Sequence, residues 1–166
     1  MIILGIDPGL AATGWAALKK EKKPKLIDYG CIKTEKKDGF DKRLDFIFKE
    51  VKKITLQIKP QAVAIEGIFF AQNSKTAIKV AQAMGVIKLA CQKSKVPIYE
   101  YAPLHIKTTV AGYGRAQKKE MESMIIKKLK LKKRIKPSHA VDAIAVSLTH
   151  LSVSYTHLTL PTIYSV

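Results

Sequence analysis

The 166-residue chain reads as one α/β domain built on a mixed β-sheet. Three patterns carry that reading. Short apolar runs at residues 2–7, 13–18 and 26–34 follow one another closely, the mark of an antiparallel meander. From Phe40 the apolar period becomes helical. A short unbroken apolar run, Ala62-Val63-Ala64-Ile65, then follows that helix. A strand, a helix and a further strand favour parallel pairing with the first strand.

The elements follow in order. Residues 2–7 end at Asp7-Pro8-Gly9, a buried strand running into a tight turn. Residues 13–18 form a second strand, and Lys19 to Lys25 a charged hairpin tip. Residues 26–34 return as a third strand. Leu44, Ile47, Phe48, Val51, Ile54 and Ile58 follow helical spacing, and Pro60 ends that helix. Residues 62–66 form the fourth strand, covered on both faces. Ser74 suits the N-cap of a helix over 75–93. That helix is apolar nearly all round, so its second side predicts cover by another copy of the chain. Residues 96–101 form a fifth strand, and Pro103 starts a short helix to about Val110. A glycine-rich loop, Ala111-Gly112-Tyr113-Gly114-Arg115, precedes a helix over 117–131. Pro137-Ser138 caps a last helix from His139 to about His150. Residues 1–151 are expected to make up the domain. Residues 152–166 are an atypical tail: Leu151 to Val166 contains no Lys, Arg, Asp or Glu. It is either foreign to the domain or an edge strand or loose tail.

Composition narrows the partner. A 47% hydrophobic content supplies a core, while 30 Lys and Arg against 13 Asp and Glu give a net charge of +17. So strong a bias predicts a polyanionic partner. Membrane is the rival to nucleic acid, but no segment is apolar and long enough to span one, and no signal pattern opens the chain. Cys31 and Cys91 stand apart without metal-ligand spacing and suit core positions in a reducing compartment, so a cytoplasmic location is expected. Seven basic residues in 127–136 and the 19–25 tip supply salt-sensitive affinity for a charged backbone.

Four residues can do chemistry. Asp7 and Glu66 close apolar strands, and an open sheet gathers ligands at the carboxyl ends of its parallel strands. His139 and Asp142 are three apart and share a helix face. Three have a plainer reading: Asp-Pro-Gly is good turn chemistry, Asp142 near a helix start favours the dipole, and a lone histidine there is usually a core or cap residue, whereas a glutamate closing a buried strand has little structural use. Lone buried carboxylates cost several kcal/mol, roughly. A shared divalent cation held by oxygens explains the set together.

Four motifs in order resemble the RuvC Holliday-junction resolvases. They are Gly5-Ile6-Asp7-Pro8-Gly9 with Thr13-Gly14-Trp15; Ile65-Glu66 with Phe69; Gly112 to Lys118; and Ser138 to Ala143 followed by Thr149-His150. The resemblance runs from residue 1 to about 151. It implies an RNase H-like fold with strand order 3-2-1-4-5, a homodimer, and two Mg²⁺ or Mn²⁺ ions per active site. Its catalytic and metal-binding residues fall on Asp7, Glu66, His139 and Asp142. Many members carry aspartate where this chain has His139, and the loss of one negative charge favours Mn²⁺, which accepts imidazole more readily. Phe69 matches an aromatic that wedges into the junction; the plainer reading of Phe69 and Phe70 is ordinary core, and since neighbours on an extended segment point opposite ways, one is expected in the core and the other exposed. Lys107 and Lys118 match basic residues near the scissile phosphate, and Arg115 is a further expected DNA contact.

The resemblance thus implies a nuclease that resolves Holliday junctions in recombination and repair. It nicks symmetrically and leaves 5′-phosphate and 3′-hydroxyl ends. A branch-migration helicase complex is the implied protein partner. Two alternatives remain: an RNase H-like nuclease on another nucleic acid, and a protein that binds branched DNA without cutting it.

Overall fold

The computed structural model describes residues 1–68 and 74–159, with side chains described for 1–68 and 77–153. The Phe69 and Phe70 expectations lie outside the described residues. The elements are β1 (Ile2–Asp7), β2 (Ala12–Lys19), β3 (Lys25–Lys33), α1 (Phe40–Ile58), β4 (Ala62–Glu66), α2 (Ser74–Lys93), β5 (Ile98–Tyr101), α3 (Pro103–Ala111), α4 (Lys118–Leu129) and α5 (Ser138–Thr159).

The five strands form one sheet in the order β3-β2-β1-β4-β5, as an RNase H-like fold requires. β1 pairs antiparallel with β2 and parallel with β4. The meander and the crossover predicted from element order are therefore both present. β5 adds to β4 in parallel.

Side chains alternate between the two sheet faces, so each face has its own core. Leu4, Ile6, Val63 and Ile65 pack with Ile47 and Val51 of α1 and Met84 and Ile87 of α2. Ile3, Ala16, Leu18, Ala62 and Ala64 pack with Ile106 and Val110 of α3, Met121 and Ile125 of α4, and Ile144 of α5. Each buried isoleucine contributes roughly 1.5–3 kcal/mol relative to exposure. The continuous apolar sequence of β4 follows from cover on both faces.

Helix α5 crosses β2, β1 and β4. Two glycines let it lie close. A Cβ on Gly5 would overlap the Ala143 carbonyl and the Ser147 hydroxyl, and one on Gly14 would overlap the His139 carbonyl. Expected ends shift by a few residues elsewhere, but α5 continues to Thr159 rather than stopping near residue 150. Leu148 and Leu151 carry its buried stripe on, and no Pro or Gly intervenes before Pro161. Cys91 is fully buried as core, while Cys31 is only half-buried on the edge strand β3.

Candidate metal and active site

Alternation along the strands decides where the acids point. Asp7 shares its face with Ile3 and Gly5, and Glu66 with Ala62 and Ala64; that face carries α5. Ile6 pairs with Ile65, so Asp7 and Glu66 sit side by side, each one residue further along its parallel strand. Asp7 also pairs with Gly14, and Glu66 with Tyr101. Both acids thus end strands in one lateral row. After Asp7, the Thr13 hydroxyl donates to the Gly9 carbonyl at 2.7 Å and closes the turn.

The start of α5 supplies the other two groups. Because Gly14 has no side chain, the backbone of His139 rests against β2, and the imidazole reaches Asp7. His139 Nδ1 donates to Asp7 Oδ2 at 2.8 Å. Asp142 lies one turn further along the same face. Ligand atoms of Asp7, His139 and Asp142 all fall within 4.8 Å of one another. Glu66 is not in that tight group. It lines an adjoining cavity of about 350 Å³ with Asp142, Lys107, Arg115, Gln117 and Lys118. Lys118 Nζ donates to Asp142 Oδ2 at 2.8 Å.

The electrostatics have the signature of a cation site. Burial pushes the Glu66 carboxyl up to about 7, and the nearby charges of Asp7 and Asp142 push the same way; Lys107 and Lys118 oppose them. Asp7 is raised from its ordinary value by burial first, with Asp142 adding to the rise and the His139 hydrogen bond working against it. Acids held in conditions that disfavour their own anions are groups a bound cation would relieve. Two carboxylates and an imidazole within reach of one point, with a third carboxylate beside them, fit a divalent ion that tolerates mixed oxygen and nitrogen donors.

Seven of the eight residues singled out from sequence are described, and they converge on this end of the sheet: Asp7, Glu66, His139 and Asp142, with Lys107, Arg115 and Lys118 around the cavity. Phe69 falls outside the described residues. Sequence reasoning missed the roles of Gly5 and Gly14. Both stood within the quoted motifs, and a glycine inside an apolar strand is itself a signal of close backbone approach. Among the described residues, no helix is long and apolar enough to cross a membrane.

Comparison with known proteins extends the picture. A family model described as crossover junction endodeoxyribonuclease RuvC matches residues 3–150. The crossover junction endodeoxyribonuclease RuvC of Finegoldia magna is 44% identical over 152 residues, which cover 91% of this chain and 93% of that protein. A solved structure of Thermus thermophilus RuvC in complex with Holliday junction substrate superposes with a TM-score of 0.89. It is 33% identical, and the match covers 95% of this chain and 96% of that one. The yeast mitochondrial Holliday junction resolvase Ydc2 superposes with a TM-score of 0.60 at 13% identity, over 93% of this chain and 82% of that one, a likeness of fold alone.

Proposed function

The chain belongs to the RuvC family of crossover junction endodeoxyribonucleases, and on that premise we propose that Asp7, Glu66, His139 and Asp142 are its catalytic and metal-binding residues. The protein resolves Holliday junctions in recombination and repair. It cuts by paired, symmetric nicks and leaves 5′-phosphate and 3′-hydroxyl ends. The observation that carries this reading is the convergence of Asp7, His139 and Asp142 within 4.8 Å, beside a cavity that Glu66 shares with three cationic side chains.

The four residues would hold two Mg²⁺ or Mn²⁺ ions per site. When bound, such ions supply an activated water and neutralise charge developing at a phosphodiester. The chain's own groups do the rest. Lys107 and Arg115 draw the phosphate backbone into the cavity. Lys118, held beside Asp142, presents an ammonium group to the negative charge that grows on the phosphate in the transition state. His139, bonded to Asp7, lowers the negative charge of the donor set relative to an aspartate at that position.

Two architectural readings go with this one. Residues 1–151 make up the working unit, an extent that the family match over residues 3–150 supports, and residues 152–166 are an atypical tail to which we assign no function. The protein acts as a homodimer through α2, whose outward face leaves Ile78 56% and Leu89 50% exposed while Ala83, Ile87 and Cys91 are buried against the sheet side. A two-fold dimer presents two sites to a substrate that is itself two-fold symmetric.

The test is a substrate panel on the full chain with Mn²⁺: four-way junction, linear duplex, RNA–DNA hybrid and single strand. Preferential, paired cutting of the junction is expected. Preferential hybrid cleavage would assign the site to another nucleic acid, and junction binding without cutting would leave a binding protein.

A further inference from the structure

Arg115 reaches the cavity from an awkward place. It sits in the loop between α3 and α4, which contains Gly112, with φ 91°, and Gly114. Two glycines give this segment more backbone freedom to lose than an ordinary loop has. A cationic side chain that must meet a phosphate binds it more tightly when its segment is already ordered, because less entropy is lost on contact.

One side chain spans the loop. The two carboxylate oxygens of Glu120, in the first turn of α4, are both engaged. Oε2 accepts the Gln117 backbone N–H at 2.7 Å, at the far end of the loop. Oε1 accepts the Tyr113 hydroxyl, at the near end. The first contact is half of a capping box, a common helix-start device. The second is not part of that device. It ties the start of the loop to the start of the helix, so the backbone from Tyr113 to Gln117 is closed into a ring through a single carboxylate.

Glu120 has no direct part in the site. It lines a separate hollow with Ala111, Tyr113, Lys119, Ser123 and Met124, whereas Arg115, Gln117 and Lys118 line the cavity that holds Glu66 and Asp142. Its carboxyl is held below its ordinary value by the Tyr113 bond first and the Gln117 amide second, so it stays an acceptor at neutral pH. Tyr113 is 47% exposed, so core packing does not explain its placement.

We propose that Tyr113 and Glu120 are positioning residues: together they brace the 113–117 loop and so hold Arg115, which lies within it, ready for the phosphate backbone of the junction. The inference rests on the resolvase reading for its substrate, but the brace itself is independent of it. A brace of this kind acts before the chemical step. Its loss weakens substrate and transition state alike, raising KM and leaving kcat nearly unchanged.

Tyr113→Phe and Glu120→Ala test it, with two readouts on the full-length protein. The first is hydrogen exchange of the loop amides without DNA. The Gln117 amide is expected to exchange about three- to tenfold faster in Tyr113→Phe, the equivalent of one exposed hydrogen bond, and faster still in Glu120→Ala. The second is steady-state cleavage of a synthetic four-way junction. KM is expected to rise by a similar factor in Tyr113→Phe with kcat within twofold, and the double variant should match Glu120→Ala alone. A merely structural role would instead reduce the active fraction, lowering apparent kcat with KM unchanged, and that result overturns the proposal. So does loop exchange and KM within twofold of wild type in both variants. If wild type cuts no junction at all, the resolvase reading fails while the exchange data still decide whether the brace exists.

Discussion

His139 Nδ1 and Asp7 Oδ2 lie 2.8 Å apart, joining two residues 132 positions apart in sequence at the point where the first strand ends and the last helix begins. That bond fixes the imidazole against the acid and makes the donor set less negative than four carboxylates would be. His139→Asp is therefore expected to shift metal preference. Cutting supported by Mg²⁺ should rise relative to cutting supported by Mn²⁺, because an all-oxygen set suits the harder ion. Parallel cleavage assays over a range of each metal check this. An unchanged Mg²⁺ to Mn²⁺ ratio would remove His139 from the ligand set.

Glu66 makes the fold sensitive to pH when no metal is bound. Its carboxyl titrates near 7 in the folded chain against an ordinary value of 4.5, chiefly through burial. The folded state therefore binds this proton more tightly than the unfolded state. The stabilisation is complete below the unfolded value and is lost as pH rises through the folded one. In EDTA, the Tm of wild type relative to Glu66→Gln should fall between about pH 4.5 and pH 7.5. Divalent metal should restore it, with a shift in Tm that grows across the same window as protons are displaced. Asp7 is moved in the same direction and reinforces the trend. A Tm difference that does not vary with pH contradicts the assignment.

Lys118 faces Asp142 at 2.8 Å but is itself 57% exposed. An exposed pair of this kind contributes at most about 1 kcal/mol to folding, so Lys118→Met should leave Tm nearly unchanged. Removing the ammonium group should tighten Mn²⁺ binding, because a competing cation is gone from Asp142. It should also lower kcat on the order of a hundredfold, because a transition-state charge partner is lost. Titration calorimetry and single-turnover cleavage separate the two effects. Weaker metal binding together with a large drop in Tm would make the residue structural.

Gly14→Ala should pull the site apart without touching a catalytic side chain. The added methyl meets the carbonyl of His139, a backbone atom that cannot swing away. Helix α5 must shift, at a cost of roughly 1–3 kcal/mol in stability, and His139 and Asp142 shift with it. Metal affinity should fall along with Tm. Unchanged metal binding in Gly14→Ala would mean that this close packing does not set the site geometry.

Much of this was legible from residue pattern alone. A strand, a helix and an unbroken apolar strand predicted the β1–β4 pairing, and the pairing predicted that Asp7 and Glu66 are neighbours. Helical spacing put His139 and Asp142 on one face. Local pattern does not encode which helix face meets which strand at what distance, so the seating of α5 on Gly5 and Gly14 had to come from the structure. The same holds for the Lys118–Asp142 pair and for the Glu120 contact with Tyr113, which join residues on different elements. The length of α5 was misjudged because a change in composition after residue 150 resembled an end, although no helix breaker occurs before Pro161.

The most direct test of the central claim compares wild type with Asp7→Asn on a synthetic four-way junction labelled on each strand in turn, with Mn²⁺ and with EDTA. Wild type should nick two opposed strands at symmetry-related positions with metal and none without it. Asp7→Asn should bind the junction as tightly and cut it at least about 10³-fold more slowly. Equal cutting by the two proteins, or cutting by wild type in EDTA, would contradict the account.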